Sequence, residues 1–153
     1  MLENGRRISE HFSRKHSDLV HTMHRLEAAL ASPAPSRENE WATRVLEDLR
    51  ALCGVVQENR RTAEQPGGLY EQVTESRPEL TLRTHYLRDS NRYLETQARL
   101  LVEETERVAL GEGAAFMAVR THAAELLKEL RQQQAREVDL AFEAFQRDIG
   151  GDG

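Results

Sequence analysis

Apolar residues recur every three or four positions through most of this chain, the spacing of one face of an α-helix. Ile8, Phe12, Leu19, Val20, Met23, Leu26 and Leu30 mark a first helix over about 8–31. Ser32-Pro33-Ala34-Pro35 ends it, because proline lacks an N–H and restricts the residue before it. Ser36 is a good N-cap for a second helix, with Trp41, Val45, Leu49, Leu52 and Val56 on one face. Gln65-Pro66-Gly67-Gly68 breaks that helix, and a short helical piece is expected over 69–73 before Pro78. A third helix carries Leu80, Leu87, Leu94, Ala98 and Leu101 and turns at Gly111 and Gly113. A fourth carries Phe116, Val119, Ala123, Leu126, Leu130, Leu140 and Phe145, with Gly150-Gly151 after it. No stretch alternates like a strand. The expectation is an all-α, up-down four-helix bundle forming one domain over 1–153, with about 1–7 and 150–153 frayed.

The same pattern has polar residues where it calls for apolar ones. His16 lies one turn after Phe12 and one turn before Val20. The series 45, 49, 52, 56 continues to Asn59, and the series 80, 87, 94 passes through Asn91. The step from Leu130 to Leu140 crosses Gln133, Gln134 and Glu137. Burying an unpaired amide or imidazole costs about 1–3 kcal/mol by mutational measures. Either these groups satisfy one another as a layer that sets helix register, or they line a cavity for water or a ligand.

Composition narrows the classes of function. Hydrophobic residues are 39%, charged residues 31% and aromatics only 5%, which suits helices. The net charge of −5 is spread along the chain, so there is no basic footprint for nucleic acid. No apolar run approaches the roughly 20 residues needed to span a bilayer, so no membrane partner is expected. Met1 to Ser9 has two arginines but no apolar stretch behind them, unlike a signal peptide. The single cysteine, Cys53, excludes an intramolecular disulfide and suits a reducing cytoplasm.

Several segments resemble hemerythrin-like, HHE cation-binding domains. KHSDLVHTMHRLEAAL resembles the family's first helix, with His16 at a ligand histidine. ENRRTAEQPGGLYEQV resembles the stretch after the second helix, with Asn59 at a histidine position and Glu64 at its carboxylate. LRDSNRYL resembles the third-helix pattern, with Asn91 at the histidine. DLAFEAFQRDIGG is the closest match; the fourth-helix histidine falls at Gln133 or Gln134, and Asp139 matches an acidic ligand. The resemblance implies a bundle built around two non-haem irons for oxygen binding, sensing or redox chemistry. The amides depart from it, because neutral amides bind iron or zinc far more weakly than imidazole or carboxylate.

Three functions follow as expectations. The first is a metal-free protein, without cofactor, that holds a small organic molecule in the former metal cavity. His16, Glu64 and Glu137 are its acid/base candidates, and Asn59, Asn91, Gln133, Gln134 and Cys53 its ligand contacts. The second is an unusual iron protein using His16, Glu64 and Asp139. The third is an interaction module with a structural polar layer. Helix rise adds a constraint: a tight turn at 33–35 offsets His16 from Asn59 by roughly 10 Å and moves it toward Cys53. Cys53 near the apolar face reads first as a structural thiol, with His16 the nearest base. Tyr70, Tyr86 and Tyr93 can donate hydrogen bonds into a pocket but read first as packing residues, and His85 reads as solvated. His24 with Glu27 and His122 with Glu125 are three-residue spacings common on helix surfaces.

Overall fold

The computed structural model describes the backbone of residues 2–32, 38–111 and 116–146, and within these spans the side chains of 14–145. The expected N-cap at Ser36, the 33–35 turn, Gly113 and Gly150-Gly151 lie outside these residues, as do the side chains of Ile8 and Phe12. The chain forms α1 (Leu2–Ala31), α2 (Glu38–Glu64), α3 (Leu69–Ser76), a 3-10 turn (Pro78–Leu80), α4 (Thr81–Ala109) and α5 (Phe116–Ala141). One wider π-type turn, Phe142–Gln146, follows α5. There are four long helices and no strand among the described residues. The backbone of α1 is helical from Leu2, through the stretch expected to fray. None of these helices is long and apolar enough to cross a membrane.

Local chemistry explains the boundaries. Glu38 and Glu40 lie in the first turn of α2 and Arg61 in its last, the charge order that a helix dipole favours. Helix α4 closes at Gly111, whose φ of 74° is open to glycine at little cost. Between α2 and α3 two glycines serve different ends. Gly67 takes a φ of 76°, and its N–H donates to Glu71 Oε2 at 3.0 Å. Gly68 has an ordinary φ of −79°, but it sits against the carbonyl oxygens that end α2. Pro78 opens the 3-10 turn, where a missing N–H costs nothing.

The helices bury the predicted faces. Trp41, Val45, Leu49, Leu52 and Val56 are buried on α2, and Trp41 meets Phe116 edge-on with ring centroids 5.0 Å apart. Helix α2 packs most heavily against α4 and then α1; α4 packs against α5, and α5 touches α1 lightly. Contacts across neighbouring helices run in opposite sequence order. Arg25 pairs with Asp48 while Lys15 reaches Thr62, and Glu104 meets His122 while Asn91 meets Glu137. Arg120 of α5 donates to the Leu30 carbonyl at the end of α1, at 2.6 Å from Nη2.

The buried apolar residues fall into two clusters. The larger runs from Trp41 and Val119 to Leu19, Val56 and Leu130. The smaller gathers around α3, with Ala63, Leu69, Tyr70, Val73, Leu87 and Leu140. The polar positions lie between them. Away from both, Gly54 sits exposed in the middle of α2, and a Cβ there would meet nothing within 4 Å. Gly54→Ala should therefore stabilise the fold by about 0.5–1 kcal/mol, through the entropy of the unfolded chain. A rise in the urea midpoint at unchanged slope would show it; no rise would mean the site is less open than its geometry.

Candidate functional site

A cavity of about 420 Å³ opens where the two apolar clusters fail to meet. Helix α1 contributes Lys15, His16 and Leu19 to its wall, and α2 contributes Val56, Asn59, Thr62 and Ala63. Gly67, Gly68 and Leu69 form part of the lining at the α2–α3 junction, and Asn91 enters from α4. Helix α5 presents Leu130, Gln133, Gln134 and Glu137, the i, i+3, i+4, i+7 stripe of one helix face. Five polar positions expected inside the bundle, one or more from each long helix, thus share one space with Glu137.

The hydrogen bonds on the α4–α5 side have a fixed direction, because they start from a backbone carbonyl that can only accept. Gln133 Nε2 donates to the Leu87 carbonyl at 2.9 Å and to Asn91 Oδ1 at 3.0 Å. Asn91 Nδ2 must then face the other way. It donates to the Tyr70 hydroxyl oxygen and, at 2.8 Å, to Glu137 Oε1. Tyr70, having accepted from Asn91, gives its own proton to Glu137 Oε1 at 2.8 Å. A longer contact of 3.4 Å joins Gln133 Nε2 to the same oxygen. Every hydrogen bond to Glu137 among the described residues falls on Oε1. A proton on this carboxyl therefore resides on Oε2, the oxygen outside the network.

Burial raises the Glu137 carboxyl above its ordinary range, and the hydrogen bonds from Asn91, Tyr70 and Gln133 pull it back only in part. The Tyr70 hydroxyl is also raised, first by burial and then by the neighbouring Glu137 charge. No cation forms an ion pair with Glu137 among the described residues. Arg88 instead stacks over the Tyr70 ring at 5.8 Å and Arg136 over Tyr86. Around the cavity three buried polar atoms lack a hydrogen-bond partner: His16 Nδ1, Gln133 Oε1 and Gln134 Nε2. Each such atom costs of order 1–3 kcal/mol unless something meets it. Asn59 likewise makes no side-chain hydrogen bond among the described residues. Asn91 and Gln133 meet through one hydrogen bond, but Gln133 Oε1 and Gln134 Nε2 on α5 and His16 Nδ1 on α1 are left open.

Three expected site residues lie elsewhere. Glu64 is five residues past Asn59, roughly 140° further round the helix. It turns toward α4 and pairs with Arg60 at 2.9 Å and Arg92 at 3.4 Å, and Arg60 also pairs with Glu95. Cys53, six residues before Asn59, is likewise turned away toward the charges of Glu95 and Arg99. Burial, helped by Glu95, pushes its thiol up to about 11, so it is neither a ligand contact of the cavity nor an activated nucleophile. Asp139, two positions past Glu137, points to solvent on the opposite face of α5. The offset of His16 toward Cys53 does not arise, because Lys15 reaches the Glu58 carbonyl and Thr62 and brings His16 level with Asn59. Both Gln133 and Gln134 line the cavity.

Tyr70 is the member of this hydrogen-bond network that periodicity assigns first to packing. Its ring is fully buried in the α3 cluster, and only the position of Glu137 across the bundle reveals the use of its hydroxyl. Lys15 and Thr62 at the wall were equally invisible. His24, His85 and His122 are exposed; His122 pairs with Glu104 rather than Glu125. A di-iron centre does not fit the residues present. Of its expected ligands His16, Glu64 and Asp139, only His16 lines the cavity, and no group of three His, Cys, Asp or Glu side chains among the described residues could hold a metal. No protein-family model, curated protein or solved structure matches the chain.

Proposed function

We propose that this chain is an up-down bundle of the hemerythrin-like kind whose former metal cavity binds a small organic molecule. The observation that carries this reading is a cavity of about 420 Å³ whose neighbouring amides and imidazole hold partnerless polar atoms. That size lies within the range of small-molecule sites. Leu19, Val56 and Leu130 supply an apolar wall, where each 100 Å² of ligand surface removed from water is worth about 2.5 kcal/mol. Glu137 is the group placed to give or take a proton if the bound molecule reacts. His16 is the second such group on the opposite wall.

A second reading draws on the Gln133–Asn91–Tyr70–Glu137 bonds, which would suit a polar layer that only sets helix register. One pair of measurements separates the readings. Elemental analysis should find less than stoichiometric iron, manganese or zinc, and a library of small polar-apolar fragments should raise Tm. At a hundred times its Kd a ligand adds about 2.7 kcal/mol, or roughly 5–10 °C in Tm for a chain of this size. Two metals per chain would overturn the metal-free reading. A library that never shifts Tm would leave the register layer as the function of these residues.

A further inference from the structure

The cavity is not chemically even. On its α5 wall two residues one helical turn apart, Gln133 and Glu137, each keep an acceptor without a donor among the described residues. One is Gln133 Oε1, buried and partnerless because the Leu87 carbonyl and Asn91 draw its Nε2 the other way. The other is Glu137 Oε2, one helical turn further on, left over after Oε1 has taken the donors from Tyr70, Asn91 and Gln133. Among the described residues no charged group forms an ion pair with this carboxyl. The groups that face it are the Tyr70 hydroxyl from α3 and the Asn91 amide from α4, both neutral. Arg88 of α4 lies over the Tyr70 ring at 5.8 Å, its Nε buried without a hydrogen-bond partner, and makes no ion pair with Glu137 among the described residues. From α2 comes Asn59, and from α1, across the cavity, come His16 and Lys15. Lys15 is turned toward the Glu58 carbonyl and Thr62. Two acceptors one helical turn apart, one of them a carboxyl, need a ligand group with several N–H donors and a positive charge.

We propose that the molecule this cavity takes is a small primary amine. Its ammonium is held by Glu137 Oε2 and Gln133 Oε1, and its hydrocarbon part by Leu19, Val56 and Leu130. An ammonium has three donors and no acceptor, so it satisfies both oxygens at once. Charge-assisted hydrogen bonds are about twice as strong as neutral ones. An alcohol offers a single donor, and a carboxylate offers none and repels Glu137. When the ammonium enters, a proton held on Oε2 departs to solvent and leaves an ammonium–carboxylate pair. Affinity therefore rises with pH until Glu137 is already ionised in the free protein, and then levels. This assignment rests on the cavity being a binding site.

The test is calorimetric titration of the full chain with hexylamine, hexanol and hexanoate, in two buffers of different ionisation enthalpy. Hexylamine should bind at least tenfold tighter than the other two and release up to one proton per site below the plateau. Glu137→Gln should lower hexylamine affinity at least tenfold and leave hexanol within about threefold, the hexanol arm reporting that the cavity is intact. Hexanol or hexanoate equal to hexylamine on the native chain would overturn the amine assignment and leave the cavity reading standing. So would a Glu137→Gln protein that keeps its preference for the amine. If no probe binds the native chain at millimolar concentration, the cavity reading itself fails.

Discussion

Gly68→Ala should be the most damaging single-methyl change in the described part of the chain. A Cβ there would lie 2.5 Å from the Thr62 carbonyl oxygen, 2.8 Å from that of Gln65 and 2.9 Å from that of Ala63. All three are backbone atoms at the end of α2, so none can step aside as a side chain would. Backbone strain is not the cause, since the φ of −79° suits any residue. Forcing a methyl into such a site costs about 1–3 kcal/mol and occasionally more, a large part of the 5–15 kcal/mol that holds a domain folded. Gly67→Ala is the control. Its cost is a φ of 76° in open space, about 1–2 kcal/mol. Urea melts should rank Gly68→Ala below Gly67→Ala and below the native chain. Ligand-induced rises in Tm should fall with Gly68→Ala, because Gly68 lines the cavity. A native-like midpoint for Gly68→Ala would mean that α2 and α3 do not meet as described.

Asn91→Leu should cost at least as much, and by electrostatics rather than crowding. The change removes two of the hydrogen bonds around Glu137 and Tyr70 and the side-chain acceptor of Gln133. Each buried group left unsatisfied costs about 1–3 kcal/mol, so a loss of about 2–4 kcal/mol is expected. Its pH dependence has a definite sign. In the folded chain Glu137 holds its proton above the ordinary carboxylate pKa. The folded state therefore binds more protons than the unfolded state from about pH 4.3 upward. Stability is full below that pH and declines as pH rises through the folded value. Taking donors away from the carboxylate raises that value further, so the decline for Asn91→Leu should extend to higher pH. Glu137→Gln should lose this decline. Equal slopes for the native chain and Glu137→Gln between pH 4 and 7 would show that Glu137 is not raised.

The two substitutions bracket how much of the site is legible in the chain. His16, Asn59, Asn91, Gln133, Gln134 and Glu137 break an apolar helical stripe, and that break is a one-dimensional signal. Each interrupts its own helix, so each can be found without knowing the others. Glu64 and Asp139 were drawn in by the resemblance, and Cys53 by the axial offset expected of His16. A helix turns about 100° per residue, so two, five or six positions from a lining residue point elsewhere. Tyr70 escaped for the opposite reason. Its spacing in α3 is that of an ordinary core residue, and its ring behaves as one. Only its hydroxyl carries the polar role.

The helical periods, the Pro66-Gly67-Gly68 break and the depth of the polar positions are all properties of a single strand of residues. They follow from local geometry and from the cost of burying polar atoms, so they are readable before folding. Whether those polar atoms meet one another is a property of register between helices. That register placed His16 level with Asn59, joined Asn91 to Gln133, and brought Tyr70 from α3 onto Glu137 of α5. Among the described residues it also left Gln133 Oε1 without a donor, one helical turn from a carboxyl without a counter-ion. Hydrogen bonds act over about 3 Å, less than the rise of one helical turn, so no pattern along the chain resolves them. The hemerythrin-like likeness is a resemblance of segments, and the cavity's chemistry follows from its own atoms.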